Sequence, residues 1–473
     1  MYQHARNSLV YNSSLTNVQG NFNVYIGHGG SHPSGLEVLY GHCAPDATHD
    51  SQKRSPPPRC HPETRLDILS ILDGWAKDTD LPHIAWLYGA VGTGKSAVAQ
   101  TMAERWIREG QVVVTFFFSR NSERRRVGRH IVPTLAYQLA MANRDVSDYI
   151  ESVIRGNHAL FTKVMSVQFQ KLIVEPLRRL HSADLSGSII FIVDGLNECE
   201  DEVQKEFLGI IRDFESFTDI ACSVRFLITS RQDPQIRCLL QQSCCPITLD
   251  DCQDTYRDIR LYLENELANI YRTYTQGHNV PPLAQSWPST AIINQLASNA
   301  CGQFIYAFTV VRFVSDGHGS PCELLSLVLN PSIVVNSSSE GDQLFQPLDQ
   351  LYLDILSRCC HPQLLNLVLG YIMASVQGLS LPQLSTLCVC STRHIIQVVH
   401  PLHSVLSIPD QSSPAELVSI LHTSFSDFLE NRRRSGLFFV NRSVYRAKLG
   451  VFFICNEVFS CDSCPIGGRN IAM

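Results

Sequence analysis

One stretch of the sequence decides the fold: Gly89-Ala90-Val91-Gly92-Thr93-Gly94-Lys95-Ser96. It satisfies every fixed position of the pattern G-x-x-x-x-G-K-[ST]. A short apolar strand is predicted just before it, at residues 84–88, and a helix just after it, to about residue 107. Glycines let the backbone curl so that its N–H groups point at one anion, and the helix directs its positive end to the same place. The stretch therefore predicts a loop that binds the phosphates of a nucleotide.

The last two residues of this loop have separate predicted roles. Lys95 is expected to place its ammonium group between the β- and γ-phosphates, and Ser96 is expected to offer its hydroxyl to Mg²⁺. The alternative is a glycine-rich turn that arose by chance, which the flanking strand and helix disfavour. We therefore predict that all eight loop residues contact nucleotide.

Another apolar strand, residues 189–193, runs directly into Asp194. Ligands of open α/β sheets bind at the carboxyl ends of the strands, so Asp194 is expected beside the loop, where it would hold Mg²⁺ through water. Glu198 follows four residues later and could polarise an attacking water. We predict catalytic roles for both carboxylates. The alternative is an ordinary strand whose Asp caps the next turn.

The next apolar strand, residues 225–229, also ends in polar side chains. Thr229 or Ser230 could sense the γ-phosphate through a hydrogen bond, and Arg231 could offset charge that develops during hydrolysis. We predict that Thr229 binds nucleotide and that Arg231 is catalytic. An equally weighted alternative makes Arg231 a cap on a surface turn.

The wider pattern alternates short apolar strands with helices. Strands are predicted at residues 84–88, 112–118, 189–193, 225–229 and 246–249. Wholly apolar strands that alternate with helices are typical of a parallel sheet covered on both faces, so the predicted class is α/β. After about residue 250 the pattern becomes helical, with helices expected at 255–271 and 291–314, and a last unit ends in short strands such as 417–421.

Composition excludes several classes of protein. Hydrophobic residues make up 44% and charged residues 17%, so the chain can bury a sizeable core. The net charge of −6 argues against general nucleic-acid or membrane-surface binding. No apolar run approaches the roughly 18 residues of a membrane span, and the first residues lack a signal-peptide core. We expect a soluble, cytoplasmic protein without a nucleic-acid partner.

One local charge cluster departs from this acidic average. It consists of Arg120, Arg124, Arg125, Arg126 and Arg129. Charge runs of this kind are usually solvated loops, which is the interpretation we favour. An acidic partner or a nucleic acid is the alternative.

Several strings resemble one family. Residues 191–199, FIVDGLNEC, resemble the DGLDEC signature of NACHT-domain NTPases, which belong to the STAND class of signalling ATPases. Other strings resemble the fungal group with a nephrocystin-like NACHT module: RCHPETR at 59–65, FFFSR at 116–120, PTLAYQL at 133–139, ITSR at 228–231, FIYA at 304–307 and LHTSFSDFL at 421–429. The resemblance covers about residues 35–450.

This resemblance implies a domain order. Residues 1–58, rich in Gly, Ser, Asn and Pro, are predicted from their composition to be a flexible polar leader, and the tail at 451–473 is unassigned. The resemblance makes 59–250 the NACHT P-loop NTPase core, 251–344 a helical domain and 345–450 a winged-helix-like domain. It also implies ATP or ADP with Mg²⁺ as cofactors. An ADP-bound state would be closed by the winged helix, and an ATP-bound state would open and form homo-oligomers, in fungal self/non-self recognition or cell-death signalling.

Two further residues take their meaning from the resemblance. His422 matches the sensor histidine of the winged helix, which would bind the β-phosphate; the alternative is a core histidine packed beside Phe425 and Phe428. Asn197 stands where the family usually has Asp, so ATP hydrolysis is expected to be slow. The rival hypothesis is an interaction scaffold that uses nucleotide for stability without significant catalysis. A metabolic kinase is a weaker rival, since no substrate lid is evident.

Overall fold

The computed structural model describes residues 33–120, 122–157, 159–180, 188–217, 220, 222–240, 243–250, 252–278, 287–315, 319–330, 345–376, 378–409 and 416–459. The first part of the chain contains α1 (Gly35–His42), α2 (Leu66–Lys77), β1 (Ile84–Tyr88), α3 (Lys95–Arg108), β2 (Val112–Phe117), α4 (Glu123–Arg126), α5 (Ile131–Ala142), α6 (Arg144–Gly156), α7 (Met165–Phe169), α8 (Glu175–Leu177), β3 (Ile189–Asp194), α9 (Asp201–Arg212), β4 (Val224–Ser230), α10 (Pro234–Leu240) and β5 (Cys244–Thr248). A π-helical turn at Gln170–Val174 joins α7 to α8.

Within these ranges, five parallel strands form one sheet in the order β2-β3-β4-β1-β5. One face packs against α2 and α3 through residues such as Leu87 and Ile192. The other face packs against α5, α6 and α9 through residues such as Phe191 and Phe226. Helices cover both faces, which is why the strands are apolar along their whole length. The predicted α/β class is confirmed.

The register of the strands brings their polar ends together. Phe117 pairs with Asp194, and Tyr88 pairs with Ser230. Because the strands are parallel, their carboxyl ends meet at one edge of the sheet. The loop from β1 to α3 lies at the same edge. The phosphate loop and the polar ends of β3 and β4 are therefore close together.

The second part of the chain is mainly helical. Its elements are α11 (Cys252–His278), α12 (Thr290–Asn299), α13 (Phe304–Val314), α14 (Pro321–Leu329), α15 (Gln346–Ser357), α16 (Pro362–Ala374), β6 (Leu379–Ser380), α17 (Leu381–Leu387), α18 (Thr392–Val399), β7 (Leu406–Ser407), β8 (Leu417–Ile420), α19 (Thr423–Glu430), α20 (Arg432–Ser435) and α21 (Arg442–Phe459). The three short strands form an antiparallel sheet, in the order β6-β8-β7 among the described residues. One hydrophobic core runs from α11 to α21.

The single helix predicted at residues 291–314 is wrong. The structure has two helices there, α12 and α13, separated at Cys301 and Gly302, whose φ angles are +46° and +79°. A left-handed conformation ends an α-helix, and glycine adopts it without steric cost. Because the apolar periodicity continues through the break, the sequence pattern does not reveal where α12 ends.

The predicted leader at residues 1–58 also needs correction over the part that the structure describes. Helix α1 begins at a capping box formed by Ser34 and Glu37 and packs against α5 and α6. Leu39 is 0% exposed, and Cys43 is buried as well. A helix this short needs only a few apolar residues to pack against its neighbours. The polar composition of residues 1–58 therefore gives no sign of it. Residues 1–32 lie outside the described residues, as does the predicted tail beyond Phe459.

Replacing Leu39 with Ala tests whether this segment belongs to the fold. We expect the free energy of unfolding to fall by about 2–5 kcal/mol, because a buried leucine leaves a cavity. The neighbouring Tyr40 is 49% exposed, so Tyr40→Ala is the control and should cost less. Urea unfolding followed by circular dichroism measures both. Equal small losses in the two variants would show that α1 does not contribute to the folded core.

Candidate nucleotide-binding site

The loop between β1 and α3 has the backbone of an anion site. Gly92 and Gly94 have φ angles of +80° and +96°, which L-residues rarely adopt. Gly94 is the N-cap of α3; no side chain caps the helix, and its first turn contains no acidic residue. The first N–H groups of the helix therefore point at the open side of the loop without a side-chain acceptor, an arrangement that suits a phosphate.

Lys95 lies across this loop. Its Nζ donates hydrogen bonds to the carbonyl oxygens of Gly89 and Ala90, at 2.8 and 2.7 Å. Burial lowers the pKa of Lys95 to about 8, and the charge of Asp194 opposes that shift. A buried ammonium group of this kind is stabilised by a nearby anion, so a phosphate in the loop would favour its charged form.

Asp194, at the end of β3, connects the start of α3 to the end of β4. Its Oδ2 accepts a hydrogen bond from Ser96 Oγ at 2.7 Å, and its Oδ1 accepts one from Thr229 Oγ1 at 2.6 Å. The Thr229 hydroxyl in turn accepts the N–H of Gly195 at 3.0 Å. Asp194 is only 4% exposed. Thr229, predicted to contact nucleotide, thus fixes the orientation of the carboxylate in this structure.

The oxygen atoms of Ser96 and Asp194 fit a magnesium ion. Mg²⁺ prefers oxygen ligands, keeps several waters and takes one or two protein ligands plus phosphate oxygens. A hydroxyl and a carboxylate within hydrogen-bond distance, beside a phosphate loop, meet that requirement. Among the described residues, no group of three or more His, Cys, Asp or Glu side chains could hold a metal ion.

Glu198 lies next to this pair. Its Oε2 accepts the backbone N–H of Arg120 at 3.2 Å. Burial raises the pKa of Glu198, and the charge of Asp194 acts in the same direction, while the Arg120 N–H opposes it. A carboxylate whose pKa is raised accepts a proton more readily, which suits the predicted role with water.

Asn197 holds two arginines in place. Its Oδ1 accepts the backbone N–H of Arg231 at 2.9 Å, and its carbonyl oxygen accepts a hydrogen bond from Arg120 Nη2 at 2.9 Å. The residue at this position therefore shapes the edge of the site through hydrogen bonds that an amide can make. It supplies no negative charge.

Arg231 reaches the C-terminal part of the chain. Its Nη2 lies 2.5 Å from Oδ2 of Asp427, in α19. Oδ1 of the same carboxylate lies 3.8 Å from Nη1 of Arg120. Arg231 therefore does more than cap a surface turn, which is the alternative given above. One aspartate therefore joins two arginines of the α/β part to helix α19.

His422 is the N-cap of α19. Its Nδ1 accepts the backbone N–H of Ser424 at 3.0 Å and lies 2.6 Å from the Ser424 hydroxyl, which also contacts the Tyr352 hydroxyl at 2.8 Å. Because Nδ1 accepts, the neutral ring carries its proton on Nε2. Burial lowers the pKa of His422 to about 4, and the charge of Lys95 adds to that shift. The ring is thus a neutral donor within electrostatic reach of the loop lysine.

Three further residues fix the loop and were not predicted as site residues. Arg65 Nη2 donates to Thr93 O at 2.9 Å, Asp250 Oδ1 accepts the N–H of Ala90 at 2.8 Å, and Ile305 N–H donates to Gly92 O at 3.1 Å. A Cβ on Gly92 would lie 2.3 Å from Ile305 Cγ2, so this close approach requires glycine. Arg65 and Ile305 lie within the family-like strings, and Asp250 directly follows the predicted strand at 246–249 just as Asp194 follows the predicted strand at 189–193.

The basic cluster is not uniformly solvated. Arg125 donates from Nε to Phe117 O and from Nη2 to Phe118 O, at 2.8 and 3.4 Å, and so holds the end of β2. Burial lowers the pKa of Arg125. Arg124 and Arg129 are exposed, as expected for a solvated loop.

Comparisons with known proteins give one family match. Residues 70–231 match the family described as Nephrocystin 3, N-terminal, and this range runs from α2 through Arg231. A comparison with curated proteins gives no significant match. Within the described residues, every helix is too short or too polar to cross a membrane.

Solved structures with a similar fold are distant in sequence. A STAND protein with a tetratricopeptide repeat sensor from Pyrococcus horikoshii has 12% identity and a TM-score of 0.44, with 88% of this chain and 52% of that chain covered. A Walker-type ATPase of Pyrococcus abyssi has 12% identity, a TM-score of 0.35 and coverages of 78% and 97%. Cdc6p from Pyrobaculum aerophilum has 13% identity, a TM-score of 0.34 and coverages of 81% and 96%. This chain spans about half the length of the first.

The pKa of His422 gives the site a pH signature. Its folded-state pKa of about 4 lies below the ordinary histidine pKa of 6.5, so the unfolded chain takes up the proton first as the pH falls. The stability that depends on the neutral ring is complete above the unfolded pKa and is lost between these two values. His422→Asn keeps an N-cap acceptor without the titration.

We therefore expect the wild type to lose more stability than His422→Asn when the pH falls from about 7 to about 5. Urea unfolding at both pH values measures the difference, and other histidines cancel between the two proteins. Identical pH dependence would show that the His422 ring titrates normally.

Proposed function

We propose that this chain is a nucleotide-dependent switch that binds ADP or ATP with Mg²⁺ and self-associates according to the nucleotide. One observation carries the proposal: Arg231, which follows β4 at the same sheet edge as Asp194, pairs with Asp427 of α19, and the N-cap of that helix, His422, lies within electrostatic range of Lys95. A nucleotide held by the loop would therefore contact, or lie beside, two separate parts of the chain. Its phosphates can then bias how these parts are arranged.

Each site residue has a task in this proposal. The N–H groups of residues 89–96 and the ammonium group of Lys95 bind the phosphates. Ser96 and Asp194 hold Mg²⁺, which when bound neutralises charge on the β- and γ-phosphates. The Nε2–H of His422 donates to the β-phosphate. Nucleotide and ion together fill the edge of the sheet at which three strands end.

Asp427 is what would distinguish the two nucleotides. In the described arrangement its carboxylate is paired with Arg231 and lies near Arg120. A γ-phosphate is also an anion, so it competes with Asp427 for Arg231 and repels the aspartate at short range. ADP lacks that group. A ligand shifts an equilibrium only by its difference in affinity for the two states, and this competition supplies such a difference.

The finer assignment follows from the resemblance. The element order helix, strand, two helices, two strands, from α16 to β8, supports a winged-helix-like domain at 345–450, after a helical domain at 251–344. The strings quoted above support a fungal NACHT protein of the STAND class that acts in the cytoplasm, in self/non-self recognition or cell-death signalling. The match of residues 70–231 to the family Nephrocystin 3, N-terminal, supports the nephrocystin-like part of this assignment.

Hydrolysis is proposed to be slow. Glu198 can accept a proton from water, but the amide of Asn197 adds no negative charge beside it. We expect a steady-state turnover below about 1 s⁻¹, under the range of ordinary enzymes. A phosphate-release assay with Mg·ATP measures it, and Asn197→Asp should be faster. Wild-type turnover within the ordinary range would contradict this expectation.

Lys95→Ala tests the switch. Light scattering in the presence of Mg·ADP or a non-hydrolysable ATP analogue should show larger particles with the analogue for the wild type, and no nucleotide effect for the variant, because the loop loses its cation. Lys77→Ala, which removes an exposed lysine at the end of α2, is the control. If Lys95→Ala lowers stability but wild-type size never depends on nucleotide, the chain is a nucleotide-stabilised scaffold instead.

A further inference from the structure

A chain of hydrogen bonds leads from helix α15 to the N-cap of α19. The hydroxyl oxygen of Tyr352, in α15, lies 2.8 Å from Ser424 Oγ, and Ser424 Oγ lies 2.6 Å from Nδ1 of His422. The backbone N–H of Ser424 donates to the same Nδ1 at 3.0 Å. Tyr352 and Ser424 are both buried. In the proposed function only His422 has a task, so the two hydroxyl groups are left without one.

The direction of each proton in this chain follows from one bond. A backbone N–H can only donate, so Nδ1 of His422 is an acceptor and carries no proton. The Ser424 hydroxyl must therefore donate to Nδ1, which uses its single proton. Its oxygen is left to accept, so the Tyr352 hydroxyl donates to it. Both hydroxyl protons point toward the ring, and the proton of the neutral imidazole lies on Nε2.

Packing holds the first group of this chain in place. The Tyr352 ring lies with its centroid 5.0 Å from that of Phe425 and 5.3 Å from that of Phe428. Both phenylalanines are buried and belong to α19, the helix that His422 caps. A side chain that is locked by its neighbours can fix the orientation of the group to which it is hydrogen-bonded. Tyr352 therefore restrains the Ser424 hydroxyl, and through it the imidazole ring.

The same ring lies near the phosphate loop. His422 and Ile305 line one cavity of about 10 Å³, and the N–H of Ile305 donates to Gly92 O at 3.1 Å. A cavity of this size holds about one water, so it is not a site for a larger ligand. Its importance is that one residue, Ile305, contacts the loop and borders the same space as the histidine.

We propose that Tyr352 and Ser424 are positioning residues of the nucleotide site, which hold the His422 ring in the orientation and tautomer that present Nε2–H to a phosphate. This inference rests on the proposed function, in which Nε2–H donates to the β-phosphate. If the ring turned over, the lone pair of Nδ1 would face the anion and repel its oxygens. The two hydroxyl groups order the ring before nucleotide arrives, so the entropy of ordering it does not oppose binding.

A purely structural role is the alternative, because buried hydroxyl groups need hydrogen-bond partners wherever they occur. That role predicts that removal of either hydroxyl lowers the stability of the fold and does nothing specific to nucleotide binding. The positioning role predicts an effect on nucleotide affinity that depends on the imidazole ring of His422. The two interpretations therefore differ in a measurable way.

The test is a calorimetric titration of Mg·ADP into the full chain, stripped of bound nucleotide. The test variants are Tyr352→Phe and Ser424→Ala, each of which removes one hydroxyl group of the chain. Tyr371→Phe is the matched control, since it removes the hydroxyl of another buried tyrosine of the same hydrophobic core, in α16. Each test substitution is also made in the His422→Asn protein, which completes a double-mutant cycle.

We expect Ser424→Ala to bind Mg·ADP about 3- to 10-fold more weakly than the wild type, the usual effect of one hydrogen bond. Tyr352→Phe should weaken binding in the same direction but less, because it acts through Ser424. Tyr371→Phe should bind as the wild type does. In the His422→Asn protein neither test substitution should weaken binding further. If Ser424→Ala does not fold, Tyr352→Phe, which keeps the packed ring, completes the cycle with His422→Asn.

The tautomer itself can be observed without nucleotide. In ¹⁵N spectra of protein labelled at histidine, the signals of His422 are those absent from His422→Asn. The wild type should show Nε2 protonated and Nδ1 as a hydrogen-bonded acceptor. Ser424→Ala should move the Nδ1 resonance toward that of a free acceptor nitrogen, and Tyr371→Phe should leave it unchanged.

Three results would overturn the proposal. Equal losses of ADP affinity in the test and control variants, or undiminished losses in the His422→Asn protein, would show that the hydroxyl groups act only on core packing. A proton on Nδ1 of the nucleotide-free wild type would remove the tautomer on which the inference depends. If His422→Asn binds Mg·ADP as tightly as the wild type, the proposed phosphate contact fails and this inference with it. Failure of the inference alone leaves His422→Asn weak and both test variants unchanged.

Discussion

The carboxylate of Asp194 holds the site together. It accepts hydrogen bonds from Ser96, the last residue of the phosphate loop, and from Thr229, near the end of the neighbouring strand. These three residues are far apart in sequence, and only the parallel register of β3, β4 and β1 brings them to one edge. A buried carboxylate needs such partners, because an unpaired charge in the interior is strongly unfavourable. Asp194 has these partners and is only 4% exposed.

The site extends beyond the sheet because the C-terminal part packs against it. Arg65 links the loop to Thr255 in α11, Ile305 covers Gly92, and Asp427 joins α19 to Arg231. The loop, α11, α13 and α19 are therefore mechanically connected at the place where a nucleotide would bind. This connection is the physical basis for proposing a switch, since a ligand that changes one contact changes the balance of the others.

The α/β fold could be predicted from the sequence, as could the position of the phosphate loop, Asp194 and Thr229 at one edge of the sheet, because these features are local. The loop pattern and the wholly apolar strands can be read within a few residues, and a polar residue at a strand end has a defined position in a parallel sheet. Asp427 could not be singled out in this way, because its importance comes from contacts with Arg231 and Arg120 across the chain. The docked helix α1 was missed since its burial depends on α5 and α6, and the break at Gly302 was masked by continuous apolar periodicity.

The most direct test is a calorimetric titration of Mg·ADP into wild-type protein that has been stripped of bound nucleotide. The loop, Lys95 and the Ser96–Asp194 pair predict saturable heat at one site per chain, and weaker binding when Mg²⁺ is removed by a chelator. Absence of heat with adenine and guanine di- and triphosphates, from well-folded protein that yields no nucleotide on extraction, would contradict the account.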